Sequence, residues 1–333
     1  MRNIFLCLCF AWMGLGVHSQ NSPYFGFFQY NRPQINPAAL HDMVYDYGSL
    51  ISANGNVRTP FLDQRLPDYE GVHFGSFQFN FNTRGFGCKQ KYNCQGVFFP
   101  FGLDAQSDNR GLNLENSRVS LRAQVVLKTS DDQWLSLGFN VTHSNLALKR
   151  SVDGFLFENL NDTALLNRNL SSNYLGAGTF FHTPFYYIGL STPELLQFAN
   201  KSDRQALNNA FINRTIHLLL GGRIGRSNLN DPFYVEIDSW LRFVPAIEFK
   251  QGKNWVDQAD ASLIARANFR PSYNWKMFAG TGGGSNLRAQ GEVGLEYYSD
   301  QGTVYRLSFL MDAGLNRGRT VPNLELNLSL GFP

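Results

Sequence analysis

The stretch that decides the fold is Ser117-Arg118-Val119-Ser120-Leu121-Arg122-Ala123-Gln124-Val125-Val126-Leu127-Lys128. Five turn-type residues (129–133) follow it, and then Trp134-Leu135-Ser136-Leu137-Gly138-Phe139-Asn140-Val141-Thr142. Val119, Leu121, Ala123, Val125 and Leu127 share one parity, and Arg118, Ser120, Arg122 and Gln124 share the other. After the turn, Leu135, Leu137, Phe139 and Val141 alternate with Ser136, Gly138, Asn140 and Thr142. Period-two alternation marks strands with two chemically different faces, and two such runs across a short polar link read as a hairpin.

The pattern recurs to the end of the chain. Phe233, Val235, Ile237, Leu241 and Phe243 oppose Glu236, Asp238 and Arg242, and the last segment sets Leu324, Leu326, Leu328, Leu330 and Phe332 against Glu325, Asn327 and Ser329. The segments run about 9 to 12 residues, the length a tilted strand needs to cross a bilayer and longer than strands of soluble sheets. Eleven strands are expected from Ser117 onward. Three more, near 44–56, 71–83 and 94–101, precede them, for fourteen in all. Links alternate between short (129–133, 183–184, 226–232, 270–274, 299–302) and mostly long (146–173, 192–213, 244–257, 313–321). Periplasmic turns and external loops alternate in this way.

The placement of charge separates a membrane barrel from a soluble, exported β-protein. The polar parity from Arg118 onward carries seven arginines (Arg118, Arg122, Arg223, Arg242, Arg266, Arg288, Arg306) and seven acids (Glu236, Asp238, Asp260, Glu292, Glu296, Asp312, Glu325), and no lysine is read among them. A water-facing sheet would favour Lys, Glu and Thr. A balanced set built on the planar, bidentate cation suits a confined lumen where opposite charges pair. The apolar parity then meets lipid, where only a closed barrel leaves no sheet edge unsatisfied. Trp134, Trp275, Tyr297 and Tyr298 fall near strand ends, as an interfacial girdle requires. The expected fold is an all-β transmembrane antiparallel barrel.

Composition agrees. Of 333 residues 43% are hydrophobic and only 17% charged, and no stretch beyond the N-terminus approaches the ~18 apolar residues of a membrane-spanning helix. The net charge of +3, from 21 Arg, 8 Lys and 26 acids, argues for no nucleic-acid partner. Arg2, the apolar run Ile4 to Val17 and Ser19 before Gln20 read as an export signal cleaved after residue 19. Export leaves Cys88 and Cys94 in an oxidising compartment. Their spacing in GCKQKYNCQ suits a disulfide and is wrong for a zinc knuckle.

No catalytic motif stands out, and no cofactor or metal site is expected. Gly280-Thr281-Gly282-Gly283-Gly284-Ser285 lacks the following helix that a phosphate cradle needs and reads as a tight turn between strands. His73, His143, His182 and His217 are scattered as lining or rim residues. Two other readings remain: a porin or hydrophobic-solute channel, and an outer-membrane lipid-modifying enzyme.

Two segments are unusual for a plain pore. One is Tyr30-Asn31-Arg32-Pro33-Gln34-Ile35-Asn36-Pro37-Ala38-Ala39, where Pro37 drives Asn36 out of the helical region. The expectation is a periplasmic leader (20–43) sealing the mouth of a barrel that spans 44–333. The other is Gly189-Leu190-Ser191-Thr192-Pro193-Glu194-Leu195-Leu196, a strand running into a Ser/Thr-Pro-Glu helix-start signal, which predicts a short helix.

These segments carry a family likeness. Asn31-x4-Asn36-Pro37-Ala38 resembles the F-N-x-x-x-x-N-P-A-x-A-G stretch of the PorP/SprF outer-membrane proteins of Bacteroidota. Gly189-Leu190-Ser191-x-Pro193-x-Leu195-Leu196 resembles that family's G-L-S-x-P-x-L-L. His41 stands where a glycine usually follows the first motif, and Pro322-Asn323-Leu324-Glu325 replaces a usual S-H-E. The resemblance implies an outer-membrane accessory barrel of type IX secretion and gliding motility. Its partners would be secretion components and the C-terminal domains of exported adhesins.

Overall fold

The computed structural model describes residues 28–60, 72–82, 96–110, 114–130, 133–148, 168–198, 215–225, 231–245, 256–284, 288–314 and 323–333. After two short helices, α1 (Arg32–Ile35) and α2 (Asp42–Tyr47), the described chain is all strand: β1 (Ile51–Pro60), β2 (Val72–Phe81), β3 (Gly96–Phe98), β4 (Phe101–Arg110), β5 (Leu114–Ser130), β6 (Gln133–Leu148), β7 (Arg168–His182), β8 (Tyr186–Phe198), β9 (Ile216–Ile224), β10 (Phe233–Pro245), β11 (Val256–Phe269), β12 (Trp275–Gly284), β13 (Arg288–Tyr298), β14 (Val304–Gly314) and β15 (Asn323–Phe332).

Every pairing is antiparallel between neighbours, and β15 closes on β1 from Ile51↔Phe332 to Pro60↔Asn323. The result is a fourteen-stranded closed barrel with one extra short strand. That extra strand has a simple cause. β3 pairs Gly96 with Lys128 and β4 pairs Phe101 with Ala123, so both follow β5 in one register. The break falls at Phe99-Pro100, where proline has no amide hydrogen to give the ladder. Its carbonyl still accepts from the Gln124 amide at 3.0 Å.

The two parities separate as their chemistry demands. Leu121 is 64% exposed and its neighbour Arg122 4%. The outward face carries Phe77, Phe79, Leu121, Leu137, Phe139, Val141, Val293 and Leu328. At one rim Trp275 packs on Tyr297 with ring centroids 4.7 Å apart, and Tyr297 on Tyr305. Such a belt fits hydrocarbon bounded by an aromatic girdle.

Several expectations are corrected. The first strand begins at Ile51, because residues 42–47 form α2, which ends on Gly48 in the left-handed region (φ +65). The strand expected at 94–101 continues through β4 to Arg110. The glycine run 280–284 belongs to β12 and is no turn. No helix starts at Ser191: β8 runs on to Phe198, with its register against β7 shifting between Leu175 and Ala177. The ladder break accommodates Pro193, and Glu194 turns into the lumen instead of capping a helix. Trp134 faces inward, stacking edge-on against Tyr45, and does not join the girdle.

Candidate functional site

The inner wall is an ionic lattice. Arg118 meets Glu194 at 2.7 Å, Arg242 meets Asp260 at 2.7 Å and Arg223 meets Glu236 at 2.6 Å. Arg266 bridges Glu236 at 3.0 Å and Glu292 at 3.1 Å, while Arg306 holds Glu296 at 2.7 Å. Arg122 pairs with Asp104 and donates to Asn80 at 2.6 Å. Glu325 is buried and stands opposite Arg58 in the β1–β15 register, and Arg58 reaches Asp312 at 2.9 Å. The side chain of Arg288 lies outside the described residues, as do Cys88 and Cys94.

Sequence reasoning missed Arg58, Asp104 and Glu194, and it missed two lysines. Lys276 pairs with Glu296 at 3.1 Å, and Lys128 is buried over the Trp134 ring. The arginine-only lumen is therefore wrong in detail. Both lysines sat at the end of a run, Lys128 before the 129–133 turn and Lys276 after a loop, where the parity count stopped.

A second layer fills this lattice. Residues 28–49 lie within the lumen, with Phe28, Asn31, Asn36, Ala38 and Ala39 fully buried. The strands answer with inward apolar side chains, Phe74, Phe180, Leu219, Trp240, Ile264 and Leu310 among them, which pack with Phe28, Tyr30, Ile35, Ala38 and Ala39 into one cluster. Each large apolar side chain so buried is worth about 1.5–3 kcal/mol. These inward Leu and Ile residues sit on the polar parity, so alternation alone gave no sign of them.

The segment crosses the barrel as a strut. At the seam where the barrel closes, Asn31 Oδ1 accepts from Gln78 at 2.7 Å and Asn54 at 3.3 Å. Asn54 in turn accepts from Asn327 at 2.6 Å and Ser329 at 2.8 Å of β15. One turn of helix later the chain reaches the opposite wall. Asn36 is extended there (φ −130, ψ 110), its amide bonded to the Arg32 carbonyl at 2.7 Å, as the following proline requires. Its carboxamide donates to the Thr179 carbonyl at 2.9 Å and the Leu190 carbonyl at 3.5 Å.

That wall is cut to the main chain. Ser191 Oγ donates to the Ile35 carbonyl at 2.8 Å, Ser136 Oγ to that of Ala38 at 2.6 Å, and Gln124 to that of Ala39 at 3.0 Å. Gly138, Gly178 and Gly189 leave no room for a Cβ: one would meet Pro37 and Ala38 backbone at the first, the Asn36 side chain at the second, and the Phe180 ring and then Asn36 at the third. The two motifs noted in the sequence, Asn36-Pro37-Ala38 and Gly189-Leu190-Ser191, are therefore the two sides of one contact. Leu190 points outward, and Pro193 lends its carbonyl to Asn140 at 3.3 Å.

Ionic contacts flank the strut. Tyr30 Oη donates to Glu292 at 2.8 Å, Arg32 pairs with Asp238 at 3.3 Å and lies 4.1 Å over the Tyr187 ring, and Asp42 pairs with Arg306 at 2.6 Å. A cavity of about 10 Å³, room for about one water, remains beside Gln29, Arg32, Glu236, Arg266 and Asn268. His41, on this segment and outside the strands, is held down at about 4 by burial, with the Arg306 and Arg32 charges acting the same way and Asp42 opposing them.

Comparison with known proteins gives one family. The model described as "Type IX secretion system membrane protein PorP/SprF" matches residues 17–325. No curated relative matches the sequence. Among solved structures, the toluene transporter TbuX of Ralstonia pickettii is similar at TM-score 0.53 and 12% identity, covering 91% of this chain and 94% of that one. The toluene transporter TodX of P. putida covers 84% of this chain and 88% of its own at 11% identity and TM-score 0.44. At 12% identity the likeness to TbuX is one of fold.

Proposed function

The chain belongs to the PorP/SprF family of type IX secretion membrane proteins and is an outer-membrane barrel, and on that footing we propose that it captures exported adhesins by their C-terminal domains, for export or surface anchoring, without catalysis. The observation that carries this reading is the lumen occupied by residues 28–49. A barrel filled by its own chain suits holding a polypeptide better than passing small solutes, which weighs against the channel reading. Secretion components and outer-membrane lipid are the further partners.

Residues 1–19 are removed on export in this proposal, the leader from residue 20 continues into the lumenal segment, and Cys88 joins Cys94. The motif residues Asn31, Asn36, Pro37, Ala38, Gly189 and Ser191 act by seating that segment, and the charged lattice holds the wall around it. Deletion of the gene tests the reading: large adhesins should vanish from the cell surface. Unchanged display of every one would defeat it.

A further inference from the structure

We propose that the wall facing residues 35–39 is a polypeptide-binding seat in its own right, occupied at rest by the chain's own N-terminal segment and exchanged for a segment of the exported partner. The proposal rests on the reading that the partner is a polypeptide.

Three observations carry it. The first is what the wall reads. Ser191, Ser136 and Gln124 bond to main-chain carbonyls, Gly138 clears a path for backbone, and Gly178 and Gly189 leave room for the Asn36 carboxamide. The one side chain recognised by hydrogen bonds there is the Asn36 carboxamide, followed by Pro37 and two alanines. Recognition of this kind specifies a chain trace, one carboxamide and small residues, and any polypeptide with an Asn-Pro-small-small turn supplies them.

The second is that the wall charges touching the resident segment each keep a partner within the wall. Asp238 accepts from Tyr187 Oη at 2.6 Å as well as from Arg32. Glu292 holds Arg266 at 3.1 Å as well as Tyr30. Arg306 holds Glu296 at 2.7 Å as well as Asp42. Losing one partner of a buried pair is costly when it strands the other charge, and here departure of the segment leaves Glu292 and Arg306 ion-paired and leaves Asp238 the Tyr187 hydroxyl. Third, Ser136 Oγ has a second acceptor in the wall, the Phe180 carbonyl at 3.1 Å. That hydroxyl keeps a bond through an exchange, while Ser191, Gln124 and the Thr179 and Leu190 carbonyls regain theirs from the main chain and carboxamide of the incoming segment.

The test uses the full chain with Ala39→Cys, a fully buried position. Purified barrel is treated with a maleimide alone, with an excess of free peptide of the sequence 31–41, and with that peptide carrying Asn36→Asp, the parent chain giving the background from Cys88 and Cys94. The matched peptide should speed labelling several-fold and the altered peptide should not. Equal, slow labelling in all three overturns the proposal, as does equal acceleration by both peptides. Ala38→Cys replaces the first variant should that one fail to fold. In cells, Leu40→Cys with Val126→Cys, two positions of one buried cluster beside the seat and outside residues 35–39, pins the segment when oxidised. Capture of exported protein should be lost on oxidation and regained on reduction, and equal capture in both states overturns the exchange. Should the parent chain capture no exported protein, the proposed function falls, while the peptide arm still decides whether the seat exchanges its occupant.

Discussion

Asn36 lies against Gly189 inside the barrel, so close that a methyl on the glycine would come within 2.7 Å of the Asn36 carboxamide nitrogen. Two motifs far apart in the chain meet at this point, and the contact explains why each needs its residue types. A glycine on the wall admits the strut, and an asparagine on the strut satisfies wall carbonyls.

Gly138→Ala should disturb this seat, because its Cβ falls on Pro37 and Ala38 backbone, which cannot yield as a flexible side chain would. The expected loss is about 1–3 kcal/mol, the usual cost of overpacking. Gly291→Ala, on the outer face with open space around it, should cost nothing comparable. Urea unfolding of the two variants in lipid vesicles gives the comparison.

Arg122→Met should destabilise the barrel by about 3–5 kcal/mol, since it leaves Asp104 charged and buried. The double variant Arg122→Met with Asp104→Leu should recover much of that loss. A double variant as unstable as the single would mean that Arg122 acts through packing and Asn80, not through the ion pair.

The barrel was legible because one physical constraint, lipid outside and a sealed lumen inside, writes itself on every second residue from Ser117 onward. Eleven strands there match eleven expected, and all thirteen of the named charges whose side chains are described line the lumen. The N-terminal strands were harder to bound, because the 42–50 segment reads as strand-like yet is consumed by α2 and its Gly48 exit. The lumenal strut was read only as a seal at the mouth. Parity says which way a side chain points and nothing about what occupies the space, so Leu219, Ile264 and Leu310 on the polar face went unnoticed. The helix expected at Ser191 failed because Glu194 finds a better partner in Arg118 than in a helix N-terminus.

Acidification should loosen the strut through His41. Its folded-state pKa of about 4 lies below the ordinary 6.5, so the unfolded chain binds the extra proton between those values. The contribution is complete above pH 6.5 and is lost as pH falls through that window, by up to about 3 kcal/mol. His41→Gln should flatten this part of the stability profile. A wild-type and variant difference that does not change between pH 7 and pH 4 would contradict the assignment.

Mature protein should present no free thiol before reduction, since Cys88 and Cys94 are expected to be joined. Alkylation of either without reductant, read by mass spectrometry, contradicts the disulfide.

The central claim is that the barrel's interior is closed by residues 28–49 of its own chain. Steady-state ion conductance of the full-length protein in planar bilayers tests it most directly. The account predicts insertion without a sustained open channel, and a stable, ohmic open pore in the unaltered protein would contradict it.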